Sequence, residues 1–323
     1  MHAPKIFAIL LMLAFGMGAA LAQEQYPSRT VKIVVPTSPG AVTDVIARAI
    51  GQIMSQVWRQ TVIIENRAGG NETIGVEFVV KSPADGYTLL VTSNAAITAA
   101  PYLFSQLRYD PQRDLVPISM LGWVTPVMVV PSASPVRSVQ ELIALAKSKP
   151  GALNYGSFGT GTYSHVAMEE FKRRTGTQMT HLPYKGAGPA YTALLRNEFA
   201  VMLGNLGSAA VHADAGKARI IAAAGAQRSK ARPDLPTIAE SGLPGFSTGA
   251  WWGLFAPANL PRPVLDKIRG DADRMLDTPE MKKVYQTSTM ELVTMTPEQL
   301  AQFIRNDTQN WAQQIKAAGI KPN

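Results

Sequence analysis

The sequence predicts an α/β protein of two lobes, each a mostly parallel sheet flanked by helices, joined by a hinge of two crossings. Three observations carry this prediction. Short apolar runs alternate with helical-period segments in β-α-β-α-β order, and that order starts afresh near Val127. The length of 323 residues exceeds what one core usually organises. Three turns rich in glycine and small residues each end an apolar run and lead toward a helix, the place where open α/β sheets bind ligands.

Val31 to Pro36, β-branched and apolar, is predicted as a buried strand. Val45, Ile46, Ala49, Ile50, Ile53, Met54 and Val57 recur at helical spacing over Thr43 to Trp58. Thr61 to Glu65 reads as a strand, followed by the turn Asn66 to Asn71. A helix is expected over Ile74 to Lys81, stopped by Pro83, and a strand over Tyr87 to Thr92. The second unit brings strands at Met128 to Val130, Ala152 to Gly156, Thr180 to Pro183, Phe199 to Leu203 and Ile220 to Gly225. Its helices are expected at Val139 to Lys149, Ser164 to Thr175 and Ala187 to Leu195. Arg232 to Pro244 reads as a connection, and Trp252 to Ala256 as a strand. Amphipathic helices follow near Pro263–Asp277, Pro279–Thr287 and Pro297–Ala318. Crossings at Gly122–Pro126 and Pro233–Trp251 divide the chain into lobe 1, residues 23–124 with a return of 245–323, and lobe 2, residues 125–244. Two crossings leave one cleft between the lobes.

Lys5, the apolar stretch Ile6 to Leu21 and the small-residue pattern Ala20-Leu21-Ala22 read as a secretory signal over residues 1–22, cleaved before Gln23. The stretch is short for a membrane span, so no membrane insertion of the mature chain is expected. The chain has 0 cysteines, which excludes disulfides, a lipoprotein anchor, cysteine catalysis and cysteine-ligated metals. Of 31 basic residues the signal removes Lys5, leaving 30 against 23 acidic, a net charge near +7. These charges are scattered, with no basic stripe interleaved with aromatics, so no nucleic-acid partner is expected.

The three turns are the candidate site, because each aims free N–H groups and the positive end of a helix dipole at one spot suited to an anion. In the first, Thr37 and Ser38 offer hydroxyls, Gly40 allows close approach, and the Ala41 and Val42 amides donate. Asp44 is expected to cap or to position water, since a bare carboxylate repels an anion. The second turn offers Ser93, Asn94 and Ala95. The third runs Ser157-Phe158-Gly159-Thr160-Gly161-Thr162-Tyr163-Ser164-His165. Its glycines relax the backbone and its hydroxyls add donors. The pair Gly159 and Gly161 lacks the third glycine of a dinucleotide fingerprint, and no Gly-x-Ser-x-Gly elbow is present. His165, His181 and His212 lie at no metal-ligand spacing. No cofactor and no metal is expected. Asn205 ends a predicted strand where its amide faces the cleft. Phe158 and Tyr163 suit stacking on an aromatic acid, while Lys185 is expected at the surface. Trp251 and Trp252 are expected to pack the hinge, and Trp311 the core. The pattern reads as a binding protein with no catalytic residues. The alternative from another class, a secreted α/β hydrolase, requires a nucleophile–base pair in the cleft.

Several segments in order carry a further signal: Tyr26-Pro27, Val31-Lys32-Ile33-Val34-Val35-Pro36, Pro39-Gly40, Thr43-Asp44, Glu65-Asn66-Arg67 and Pro83-Ala84-Asp85-Gly86-Tyr87. Tyr109-Asp110-Pro111, Pro150-Gly151, Gly159, Gly161, Ser164-His165 and His181-Leu182-Pro183-Tyr184-Lys185-Gly186 continue it. Asn205-Leu206, Pro236 to Gly242 and Gly253 to Pro257 complete it. From Tyr26 to about Lys321 the chain resembles the Bug-type solute-binding receptors of tripartite tricarboxylate transporters. The resemblance implies a type II-like periplasmic-binding-protein fold and a monomeric periplasmic receptor. Such a receptor closes on a small organic carboxylate, a dicarboxylate or an aromatic acid, and delivers it to the transporter's membrane subunits. Some members of so large a family serve a signalling partner instead. It also implies that backbone amides and ordered water hold one ligand carboxylate. Two departures fall near those contacts: Ala41 follows Gly40 where a second glycine is common, and Gly204 precedes Asn205 where aspartate is common.

Overall fold

A computed structural model describes residues 26–322; the expected signal segment 1–22 and its cleavage point lie outside these residues. The strands are β1 (Val31–Val35), β2 (Val62–Asn66), β3 (Thr88–Ser93), β4 (Leu115–Val124), β5 (Pro126–Pro131), β6 (Leu153–Ser157), β7 (Met179–Pro183), β8 (Val201–Asn205), β9 (Ala218–Ala223) and β10 (Ala250–Pro257). The helices of two turns or more are α1 (Val42–Trp58), α2 (Thr73–Val80), α3 (Val139–Ser148), α4 (Tyr163–Thr175), α5 (Ala187–Leu195), α6 (Leu206–Asp214), α7 (Arg262–Met275), α8 (Pro279–Ser288) and α9 (Pro297–Ala317).

Two five-stranded sheets form, in the orders β2-β1-β3-β10-β4 and β7-β6-β8-β5-β9. In the first, β2 and β3 run parallel to β1, and β10 runs antiparallel between β3 and β4. In the second, β7 and β8 run parallel to β6, and β5 runs antiparallel between β8 and β9. Four strands of each sheet therefore share a direction and one is inserted against them. Helices cover both faces of each sheet, so central strands read as unbroken apolar runs; all eight residues of β10 are buried. Ile33 and Val35 pack with Ile46, Ile50 and Met54 of α1 on one face of the first sheet. Val34 and Leu90 pack on the other face with Leu300 and Ile304 of α9.

The chain passes between the sheets at Thr125 and again over residues 224–249. Two elements had no counterpart in the sequence reading. Strand β4 carries Pro117 and Gly122, residues that read as breakers, and its pairing with β10 shifts register twice, at Trp252/Gly253 and Leu254/Phe255. Bulges are where such residues are tolerated inside a sheet. Helix α6 is built largely from small residues, with Gly207 in its first turn, which blurs the helical period.

Strands β1, β3, β6, β7 and β8 end toward the space between the sheets. Because β10 is antiparallel, its start lies at that same edge, where Trp252 pairs with Ser93. An apolar seam of Ala99, Leu103, Val166, Trp311 and Ile315 joins the two halves beside it.

Candidate functional site

A cavity of about 320 Å³ lies where these strand ends meet. From the first turn, Thr37, Ala41 and Val42 line it; from the second, Ser93, Asn94 and Ala95; from the third, Phe158, Gly161, Thr162 and Tyr163. The remaining expected site residues lie outside the lining, several of them bonded to its turns, with Ser38, Gly40 and Thr160 exposed. Gly40, with φ of 83°, donates its N–H to Asp44 Oδ2 at 2.9 Å, and the Ser38 carbonyl accepts the Ala41 N–H at 3.3 Å. Ser164 Oγ accepts the Phe158 N–H at 2.9 Å, and the Gly159 carbonyl accepts Thr162 Oγ1–H at 2.7 Å. Thr160 is exposed beyond the lining. Asn205 lies outside the lining; its Oδ1 accepts from the Tyr163 hydroxyl and its backbone carbonyl accepts from the Tyr191 hydroxyl at 3.2 Å.

Asp44 is buried, and burial opposes its charge. Hydrogen bonds from Arg48, the Gly40 N–H and Asn66 Nδ2 outweigh that and hold its pKa below the ordinary carboxylate range. It therefore pins the first turn and presents no charge to the cavity.

Two helical segments at the lining have their first N–H taken: that of Thr73 in α2, after Glu72, by the Gly70 carbonyl, and that of Ala95 in the turn Ala95–Ala99 by Ser93 Oγ. Three more helices begin at the lining: α1 after Ala41, α4 after Thr162 and α5 after Gly186. The first amides of a helix have no carbonyl one turn back. In these three helices no side chain caps them. Thr162 turns its hydroxyl away to the Gly159 carbonyl and to Ser164 Oγ, 2.9 Å off. By contrast Ser138, Thr278 and Thr296 cap α3, α8 and α9 with their side chains. Thr37 adds an unsatisfied group: its Oγ1 is buried and has no hydrogen-bond partner. Open amides, three helix dipoles and an orphan hydroxyl together suit an anion with hydrogen-bond acceptors.

Eight lining residues are not among the expected site residues: Thr43, Asn71, Glu72, Gly186, Ala187, Ala250, Trp252 and Trp311. Trp252 was expected to pack the hinge; the structure puts it in the cavity wall, its indole Nε1–H donating to Thr43 Oγ1 at 2.9 Å. Trp251, one residue earlier and on the other face, is fully buried and donates to Asp307 Oδ2 at 2.9 Å. Trp311 is buried, as a core residue should be, and also reaches the lining. Phe158 and Tyr163 meet edge to face, with ring centroids 5.8 Å apart.

His165 does not line the cavity. Its Nδ1 accepts the Gly161 N–H at 3.1 Å, and its ring stacks on His181 with centroids 3.9 Å apart. Ser157 Oγ and His181 Nε2 stand 2.6 Å apart, the geometry of a nucleophile and base. Ser157 is fully buried and outside the lining, and its Oγ also accepts the Gly159 N–H at 3.2 Å. The pair is packing for the turn. Burial lowers both histidines, and the neighbouring ring helps push His181 to about 4, so both are neutral near pH 7. Among the described residues no group of three or more acidic or histidine side chains could hold a metal ion, and no helix is long and apolar enough to cross a membrane.

Two sheets bridged by two crossings, with a small cavity at the strand ends between them, are the architecture of solute-binding proteins. The chain belongs to the tripartite tricarboxylate transporter receptor family, whose profile matches residues 46–320. It is 32% identical over 324 residues to protein BugT of Bordetella pertussis, covering 99% of each chain. Its fold is similar to that of R. palustris Rpa4515 with adipate: TM-score 0.82, 31% identity, 92% of this chain and 100% of that one. It is also similar to MatC from Rhodopseudomonas palustris with bound malate: TM-score 0.78, 30% identity, 90% and 100% covered. The family and these neighbours are solute-binding receptors, not enzymes.

Proposed function

We propose that this chain is a periplasmic receptor that captures a small organic carboxylate in the cavity between its lobes and hands it to membrane subunits of a tripartite tricarboxylate-type transporter. The observation that carries this reading is the meeting of three uncapped helix N-termini at one cavity. A ligand carboxylate there accepts amide hydrogen bonds in a site shielded from water, where such bonds are worth more than at a surface. The 320 Å³ volume is about ten waters' share of liquid, room for a small acid and some ordered water. Lobes of 23–124 with 245–323 and of 125–244 would close about the two crossings, bringing Gly161, Thr162 and Ala187 against Ala41 and Ala95. Adipate and malate in the two similar structures are both dicarboxylates, which supports a carboxylate as the ligand here.

A thermal-shift screen of residues 23–323 against aliphatic diacids, tricarboxylates, amino acids and aromatic acids tests the reading. A true ligand at 100 times its Kd adds about 2.7 kcal/mol, a rise of a few degrees. A response confined to carboxylates, absent for the matching amides and alcohols, is expected. Equal responses to an acid and its primary amide would remove the carboxylate from the argument.

A further inference from the structure

We propose that the cavity selects a monocarboxylate that also carries a protonated amine, with Glu72 receiving the ammonium while the helix amides hold the carboxylate. The inference rests on the receptor reading above and names the class of its ligand. Among the lining residues Glu72 is the one with a charged side chain; no lysine, arginine or histidine faces the cavity. No ion pair reaches Glu72 among the described residues. Its partners are all neutral donors: Thr92 Oγ1–H at 2.7 Å and the Ser93 N–H at 3.1 Å to Oε2, and Ser93 Oγ–H at 2.8 Å to Oε1. Ser93 Oγ accepts the Ala95 N–H at 3.2 Å, which leaves its own proton for Glu72. These three donors favour the ionised carboxylate, which burial opposes. A carboxylate has about four lone-pair sites, and three are taken. The fourth, on Oε1, has no donor among the described residues.

The backbone places this charge at a cost. Gly69, Gly70, Asn71 and Glu72 have successive φ values of 130°, 55°, 52° and 75°. The last two are positions that favour glycine, and a side chain held there is a form of strain found at ligand sites. A glycine at 72 would relax the turn and leave the cavity without charge. Burial drives the Glu72 pKa upward against its hydrogen bonds, and a ligand ammonium relieves that burial as no neighbouring side chain does. A ligand's second carboxylate at the same place meets a like charge instead.

The test uses calorimetric titration of the whole mature chain with pairs sharing one methylene spacer: glycine with malonate, β-alanine with succinate, 4-aminobutanoate with glutarate, and 5-aminopentanoate with adipate. At least one amino acid is expected to bind tenfold or more tightly than its diacid partner. In Glu72→Gln that amino acid should lose tenfold or more, while the diacid gains or stays within threefold. Glu72→Gly, free of the backbone strain, provides a variant that folds readily and should lose the amino acid equally. Tighter binding of the diacids by the wild type would overturn the proposal, as would an unchanged amine-to-diacid ratio in both variants. Either result leaves the carboxylate receptor standing. Failure of every pair and of every acid in the screen would remove the receptor reading, and this inference with it.

Discussion

Replacing the first residue of α5 by proline deletes one amide donor and almost nothing else. Ala187 is the first residue of the helix, and proline is favoured at that position because its N–H has no helical partner. Gly186 before it has φ 99° and ψ −177°, an extended ψ that accommodates a following proline. Pro189 already occupies the third position, so α5 offers the cavity only the Ala187 and Gly188 amides. Ala187→Pro removes half of that supply. A hydrogen bond to a charged acceptor contributes about 1.5–3 kcal/mol, so the Kd should rise roughly 10- to 150-fold. Val42→Pro makes the same deletion in α1, where Ala41 with φ −68° and ψ 159° is equally compatible. It also trims partly buried methyl groups, at about 1 kcal/mol of stability. The assay is calorimetric titration with the acid giving the largest thermal shift, alongside melting of the unliganded protein. Ala187→Pro should melt within a degree or two of wild type, and Ala187→Gly, which keeps the N–H, should bind within about threefold. If both proline variants bind with unchanged affinity, the helix amides do not hold the ligand and the argument from uncapped N-termini fails.

Two further outcomes follow from contacts behind the wall. A Cβ on Gly161, where φ is 81°, would stand 2.9 Å from Leu103 Cδ1 and 3.1 Å from Cδ2, across the seam between the halves. Gly161→Ala should cost about 1–2 kcal/mol of stability from its backbone alone and weaken binding about fivefold through the seam. Leu103→Val, which withdraws those methyls, should restore affinity and leave the melting loss; restoration of neither would place the effect elsewhere. The stacked pair His165 and His181 predicts acid sensitivity, with Glu169 and Lys172 the charged neighbours. Folded pKa values below the ordinary 6.5 mean that the unfolded chain binds more protons. Their contribution is thus complete above pH 6.5 and lost as pH falls toward about 4. Urea melts at pH 7.5 and 5 should differ by roughly 1–2 kcal/mol from this pair, discounted because His181 is partly exposed. His181→Gln should flatten that slope, and an unaltered slope would count against the pair.

The alternating architecture was legible because helices on both faces force central strands into unbroken apolar runs. Val31 to Val35 and Val127 to Val130 could hardly be anything else. Strand boundaries slid where pairing rather than composition decides them: β8 runs Val201–Asn205, two residues past the end of the predicted Phe199–Leu203 run. The missing β4 is a sharper case. Its Pro117 and Gly122 look like stops to any local rule, and the register shifts along β10 that tolerate them are a tertiary fact.

The candidate site divided along the same line. Turns at the ends of β1, β3 and β6 were readable because an apolar run followed by small residues is a local pattern. The other parts of the wall arrive from elsewhere. Trp252 reaches it because β10 is inserted antiparallel, so that a strand's beginning shares an edge with its neighbours' ends. Ala187 reaches it because β7 lies beside β6 in parallel register, so that α5 starts at the same sheet edge as α4, though on the opposite face of the sheet. Glu72 left the faintest trace, since Asn66 to Asn71 read only as a turn and nothing local marks a glutamate after it as unusual. Its meaning comes from backbone geometry: an acidic residue stands at φ 75°, where glycine costs less, beside two hydroxyls that both donate to its carboxylate. General anion-binding features therefore reside in local turns that sequence patterns disclose. The residue proposed to discriminate among carboxylates sits on a strained loop visible only in the fold.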